Sequence, residues 1–507
     1  MKPTNLLWII IFLIGVGARS TELLRAVDTE SWRESDVSTI AKNFYQKNTD
    51  IFHPQIAWDG SGPGYTESEF QIYSYLIATS YKVFGFWEPT GRIISFIFSL
   101  ATLLVFLRLC KYLFEEKAAL FSFFFFAISP ILLVISNSIQ PESVMFFFYV
   151  CSGYTFIRWL NDQSGKFYTL LILCTALALL CKITAANIGL MFIIMIVFKK
   201  GWKSLFTPKV LILGLLSVLP SVFWYVYGNR FFVLYGNSLG LSNEYAWVGW
   251  DIFTNKHFVI GIIQNEIFTV WTLAGPFIIA LALLFTRWIK KESTLIGISW
   301  LASAAVFYIL AMRTTADDWG YYYHIFSIPA VSLLLGGAVI ELWDKYFPLV
   351  NSKTTTATDK PGITKGRFIL GGLALLVCLF VFSSFKYFYR IKASVFQTSD
   401  FYQCKDSLVK LIPPGSLVLA NGGLKGDKLG HPKAFNDSYF FYWIDRKGYN
   451  ITIEDLSVKN VLAFKDKGAA FFIAEERTIG KVPGLVADLK QTFTPIFECN
   501  GCILFKL

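Results

Sequence analysis

The chain has 507 residues, of which 54% are hydrophobic, 18% aromatic and only 16% charged. Soluble domains carry charge on roughly a quarter of their residues, so this composition, with its many long apolar runs, points away from a soluble enzyme and toward a membrane protein. The net charge is +11, but the basic residues sit mostly in short connections between apolar runs, where they set topology; no nucleic-acid partner is expected.

Lys2 followed by the apolar stretch Leu6–Gly17 lacks a small-x-small cleavage pattern and reads as an uncleaved first span. Ten more spans are expected at 92–109, 118–136, 143–160, 168–182, 183–198, 209–228, 260–286, 294–312, 324–343 and 367–386. The expected class is therefore an α-helical polytopic membrane protein of about 11 helices. With the N-terminus in the cytoplasm, the cytoplasmic connections are the basic ones, around 108–117, 158–166, 199–209, 287–291 and 345–367. The connection 137–142 has no Lys or Arg, and 313–323 has only Arg313, as the positive-inside rule requires. Two segments decide the parity. The stretch 71–87 carries Lys82 and is read as an interfacial helix, because counting it as a span would invert every later loop. The stretch 168–198 would make a helix of about 45 Å, too long for a ~30 Å core, and is read as two passes turning near Lys182.

This leaves a large external first loop (20–91), a second external loop (229–259) and a membrane domain over 1–390. A small external α/β domain follows over 391–507. In it Ser416–Ala420, Ala469–Ala474 and Ile503–Leu507 read as strands, and Thr452–Phe464 and Val482–Thr492 as helices. Five of the eight Cys lie in or beside spans; Cys499 and Cys502 flank an Asn-Gly turn, where a disulfide and free thiols are both open. No Cys or His grouping has zinc spacing.

The expected outer face collects polar residues. Ser35 can cap an amphipathic helix and place Asp36 in its first turn, which suits a general base or a metal ligand, or simply a favourable terminal acid. Glu142 follows Pro141 at a helix start, with capping as its plain alternative. Glu67 and Glu69 precede the interfacial helix. Lys182 within an apolar stretch either holds an anion or snorkels. Asp317, Asp318 and Tyr321–Tyr323, followed by His324, open the tenth span; an aromatic belt accounts for the Tyr but not for the two Asp.

Over roughly 5–345 the sequence resembles the GT-C superfamily of polyprenyl-phosphate-sugar glycosyltransferases, close to protein O-mannosyltransferases and lipid A aminoarabinose transferases. The carriers are Trp32-Arg33-Glu34-Ser35-Asp36, Tyr73-Ser74-Tyr75-Leu76, Gly91-Arg92, Ser129-Pro130, Gln140-Pro141-Glu142, Cys181-Lys182 and Tyr321-Tyr322. The resemblance implies a GT-C-like bundle with Asp36 and Glu142 as catalytic acids, and Lys182, Arg92 and Arg313 at the donor phosphate. Glu69, Asp318, Tyr321 and Tyr322 are further site candidates. It implies an inverting transfer, from a polyprenyl-phosphate-linked sugar to an envelope acceptor (protein, lipid or glycan), on the extracytoplasmic side of the plasma (inner) membrane; membrane lipids are the remaining partners. No cofactor is certain, and a divalent metal stays open. Two departures stand out: Ser68-Glu69-Phe70-Gln71 replaces the usual Glu-Lys-Pro-Pro, and His324 follows the Tyr residues instead of preceding them. A transporter or flippase of lipid-linked substrates would use the same Lys and acids.

Overall fold

The computed structural model describes residues 3–240, 253–286, 291–351, 360–426 and 435–507. Parts of three expected connections, 241–252, 287–290 and 352–359, lie outside the described residues.

All eleven expected spans are helical, and their breaks carry the information. In chain order the helices are α1 (Pro3–Arg19), α2 (Trp32–Gln46), α3 (Ile72–Phe84), α4 (Thr90–Leu113), α5 (Glu116–Ala127), α6 (Pro130–Ile135), α7 (Glu142–Asp162), α8 (Gly165–Cys181), α9 (Ile188–Lys200), α10 (Pro208–Tyr235), α11 (Lys256–Asn265), α12 (Ala274–Phe285), α13 (Glu292–Leu310), α14 (Met312–Thr315), α15 (Ile328–Asn351) and α16 (Lys360–Val395). Among the described residues seven helices are long and apolar enough to cross a membrane, or up to eight if a bent pair counts as one span. α1 and α8 are shorter apolar helices. The expected span 118–136 is divided at Ser129-Pro130 into α5 and α6, because the residue before a proline leaves the helical region.

The two segments that decided the parity behave as expected. α3 has 13 residues, about 20 Å of helix, too short to cross. Its Tyr73, Ile77 and Tyr81 are buried while Val83 and Phe84 are exposed. The 168–198 stretch breaks at Lys182, which is extended (φ −164°) between α8 and a 3-10 turn. The expected straight span 260–286 is corrected. α11 and α12 meet at 87°, across a π-turn (Glu266–Val270) and a left-handed pair, Thr272 (φ 54°) and Leu273 (φ 63°). Side chains strongly disfavour that backbone region, so tertiary packing must hold it.

Side-chain contacts sort the helix ends into two groups. Tyr112 reaches Asp162 at 3.3 Å, Lys199 pairs with Asn161 and Glu292, Lys291 with Glu341, and Lys345 donates to the Phe285 carbonyl at 2.6 Å. Basic connections thus gather at one end of the bundle. The starts of α2, α4 and α7 and the α8–α9 break lie at the other.

α16 runs on to Val395, past the expected boundary at 390. The C-terminal domain holds a five-stranded sheet, β1 (Leu417–Asn421), β2 (Lys447–Ile451), β3 (Ala469–Glu475), β4 (Thr494–Cys499) and β5 (Cys502–Lys506), in the order β2-β1-β3-β5-β4. The first three strands are parallel and the last two join antiparallel. β1, β3 and β5 are the three strands read from sequence. β2 and β4 escape the pattern, since one is Lys-Gly-Tyr-Asn-Ile and the other is a largely exposed edge containing Pro495. Asn500 and Gly501 make the hairpin turn with positive φ. Cys499 does not pair with Cys502; it is bonded to Cys404, 95 residues earlier, and Cys502 is a buried thiol. The bond ties the hairpin to the turn that opens the domain.

Candidate functional site

α2 starts earlier than the sequence suggested. Ser31, not Ser35, is its N-cap, and its hydroxyl accepts from the Glu34 amide at 3.2 Å. Ser31-x-x-Glu34 has the spacing of a capping box, but Glu34 turns elsewhere. It grips Arg92 through both oxygens at 3.0 and 2.9 Å and accepts from the Ile139 amide at 2.9 Å. Arg92 also donates to the carbonyls of Arg25 (3.0 Å), Ala26 (3.0 Å) and Asn137 (2.6 Å). A guanidinium has five N–H donors, and these five bonds use them all. Arg92, expected at the donor phosphate, is instead a fully buried clamp joining α2, α4 and the segment before α7.

Next to Glu34 in the first turn of α2, Arg33 lies 2.5 Å from Glu69. Burial works to lower its pKa, but the charges of Glu69 and Glu142 outweigh burial and hold it above its ordinary value. Lys182, held at the α8–α9 break, pairs with Glu142 at the start of α7. Its ammonium sits over the rings of Tyr322 (4.8 Å) and Tyr323 (4.5 Å). Two cations and two carboxylates are thereby gathered, with Lys182 and both acids buried and Arg33 partly exposed, and the second Glu142 oxygen, Oε2, has no hydrogen-bond partner. Tyr225 of α10 faces Glu69, Cys181 and Arg33. Tyr321 packs edge-on against Tyr322 at 5.8 Å.

Asp36 lies one turn beyond Arg33 and is 2% exposed. Trp58 donates its indole N–H to Oδ1 at 3.1 Å, and the Ser438 hydroxyl lies within hydrogen-bonding reach. Burial pushes the Asp36 carboxyl up to about 7, against the opposing pull of Trp58, Ser438 and Arg33. Such a group gains and releases a proton near neutrality, as a general base must.

Other expected residues fall outside this group. Arg313 is half-buried on α14. The Asp318 side chain lies outside the described residues, while Asp317 meets His257 (3.2 Å) and Trp319 (3.0 Å). Glu67 accepts from Asn229 (3.2 Å) and Ser238 (2.7 Å). His324 is fully buried between Glu266 (2.7 Å) and the Thr315 carbonyl (2.9 Å), bracing the bent pair. Among the described residues no three His, Cys, Asp or Glu side chains are grouped to hold a metal ion.

Sequence reasoning placed Tyr323 only in the outer Tyr run and did not assign Arg33, Trp58, Tyr225 or Ser438 to the site. Of these four, Arg33 alone carried a signal, as a cation three residues before Asp36. The others arrive by tertiary contact.

Residues 71–225 match a family model described as dolichyl-phosphate-mannose-protein mannosyltransferase. No curated protein sequence matches the chain. Among solved structures, ArnT from Cupriavidus metallidurans in the apo state aligns with a TM-score of 0.63 at 12% identity, covering 98% of this chain and 97% of that one. The same protein bound to undecaprenyl phosphate gives 0.62 at 12%, with the same coverage. The archaeal oligosaccharyltransferase AglB from Archaeoglobus fulgidus, in complex with an inhibitory peptide and a dolichol-phosphate, gives 0.58 at 11%, covering 94% and 70%. The chain therefore has the GT-C fold over nearly its whole length, and the mannosyltransferase family model matches α3 through most of α10.

Proposed function

We propose that this chain is a membrane glycosyltransferase that moves a sugar from a polyprenyl-phosphate donor to an acceptor hydroxyl, with inversion, on the extracytoplasmic side. The observation that carries the proposal is a buried carboxyl near neutrality, Asp36, one helical turn from Arg33, which shares a cluster of acids with a second cation, Lys182. All three sit at the end of the bundle opposite the basic connections. Asp36 takes the proton of the acceptor hydroxyl. The oxygen attacks the anomeric carbon, the bond from that carbon to the phosphate oxygen breaks, and the lipid phosphate leaves with the electron pair. Lys182 and Arg33 stabilise the charge that develops there. The cluster with Glu142 and Glu69 is neutral, so the arriving phosphate competes with these carboxylates for the two cations.

Lipid phosphates in the solved relatives, undecaprenyl phosphate in one and dolichol-phosphate in the other, support the donor class. The positive-inside rule and the Cys404–Cys499 disulfide, which suits an oxidising compartment, support the side. A transporter commonly shows related pairs of broken spans; the described residues contain one bent pair. The test is mass spectrometry of envelope glycans and lipids in cells lacking the protein, complemented with wild type or Asp36→Asn. One sugar should be missing, restored by wild type alone. Full restoration by Asp36→Asn would sink the assignment.

A further inference from the structure

The C-terminal domain touches the helix that carries Asp36. Its short aromatic helix, Tyr439–Ile444, has Ser438 as N-cap. Serine at this position ordinarily turns its oxygen onto its own helix, yet Ser438 makes no such bond. Its hydroxyl, 1% exposed, points instead at α2, 3.0 Å from the Trp32 carbonyl and within reach of the Asp36 carboxylate.

The docking around it is close. Trp443 donates to the Val27 carbonyl at 2.6 Å, and Lys42 pairs with Asp445 at 2.7 Å. Gly448 of β2 donates to the Ala57 carbonyl at 3.0 Å and accepts from Gly60 at 2.6 Å. Gly60 is required by the approach, because a Cβ there would stand 2.0 Å from the Tyr449 ring of the C-terminal domain. The segment pinned this way carries Trp58, the indole donor to Asp36, so the C-terminal domain places Trp58 as well as its own Ser438.

We propose that Ser438 is a positioning residue for Asp36, through which the soluble domain completes the active site; this rests on the role given to Asp36 above. The hydroxyl has one proton and two acceptors. When Asp36 is ionised, Ser438 donates to the carboxylate. When Asp36 has taken a proton, its own O–H donates to the Ser438 oxygen, and the serine hydrogen turns to the Trp32 carbonyl. A hydroxyl rotation thus follows the proton, with no buried group left unpaired. The other groups around Asp36 are few. Arg33 acts from its own helix and Trp58 from the pinned segment. α3 presents Tyr75 and Tyr81 to Phe44 and Tyr45. From the C-terminal domain Asp437, itself pushed up to about 7 by burial and by Glu475 and Glu30, bonds Tyr439.

The test needs no substrate. Infrared difference spectra of the full-length protein in nanodiscs, taken against pH, contain the C=O band of each protonated carboxyl. The Asp36 band is the one lost in Asp36→Asn and kept in Asp437→Asn. Ser438→Ala should raise its midpoint by about one pH unit, a tenfold change in proton affinity, because the ionised form loses a donor. Ser438→Thr should restore the wild-type midpoint. Ser438→Cys, of similar size but a weak donor, should move it upward even if the alanine variant fails to fold. A midpoint unmoved in Ser438→Ala or Ser438→Cys would overturn the proposal. A shifted midpoint together with full sugar transfer by Asp36→Asn would support the positioning of Asp36 and refute the proposed function alone.

Discussion

Replacing Asp36 by Asn should separate stability from activity. The Asp36 carboxyl titrates near 7 in the folded protein against 3.8 for a free side chain. The folded state therefore holds a proton that the unfolded state has released, and stability falls as pH rises through that window. That window spans about 3 pH units, and at ~1.4 kcal/mol for each it amounts to about 4 kcal/mol. Asn resembles the protonated acid and carries no such penalty. Thermal unfolding in nanodiscs should show variant and wild type close together below about pH 4. The gap should then widen by about 1.4 kcal/mol per pH unit toward pH 7 and stay flat above, with the Asn variant the more stable. Turnover of the same variant should drop by about 10²–10⁴, the span typical of an acid–base group. A stability gap equal at pH 4 and pH 8 would refute the reasoning, because Asp36 would then not be the group that burial holds protonated.

Lys182→Met should abolish transfer and destabilise the fold by about 3–5 kcal/mol, since Glu142 is left buried and unpaired; adding Glu142→Met should recover unfolding temperature without recovering transfer. Arg92→Met should cost a similar amount through Glu34, and any folded fraction should keep the wild-type KM for donor, in contrast to a phosphate ligand. Cys404→Ser should lower the stability of the C-terminal domain by about 2–4 kcal/mol and remove the mobility difference between reduced and non-reduced samples on a denaturing gel.

Much of the bundle was legible from hydropathy and charge, because a span must be long and apolar and its flanking Lys and Arg obey a sidedness rule. That logic removed 71–87 from the spans and placed the break at Lys182, where an ammonium cannot continue through an apolar helix. It did not foresee the bend at Thr272-Leu273, since neither residue type announces a left-handed backbone. Nor did it find β2 and β4, whose polar or edge-exposed residues leave no alternation to read.

At the site, sequence alone marked Asp36, Glu69, Glu142, Lys182 and Tyr322 as charged or aromatic residues bound for one end of the bundle. Only the tertiary structure decided what each one meets. Arg33 and Arg92 are both arginines near the start of a helix, yet one stands beside the carboxylates of the site and the other spends all five donors inside the scaffold. Ser438 lies 402 positions from Asp36 in sequence and reaches it only because the domains dock. Hydropathy and charge act locally along a chain and can be read there, whereas a hydrogen bond or an ion pair depends on which remote segment folding brings alongside.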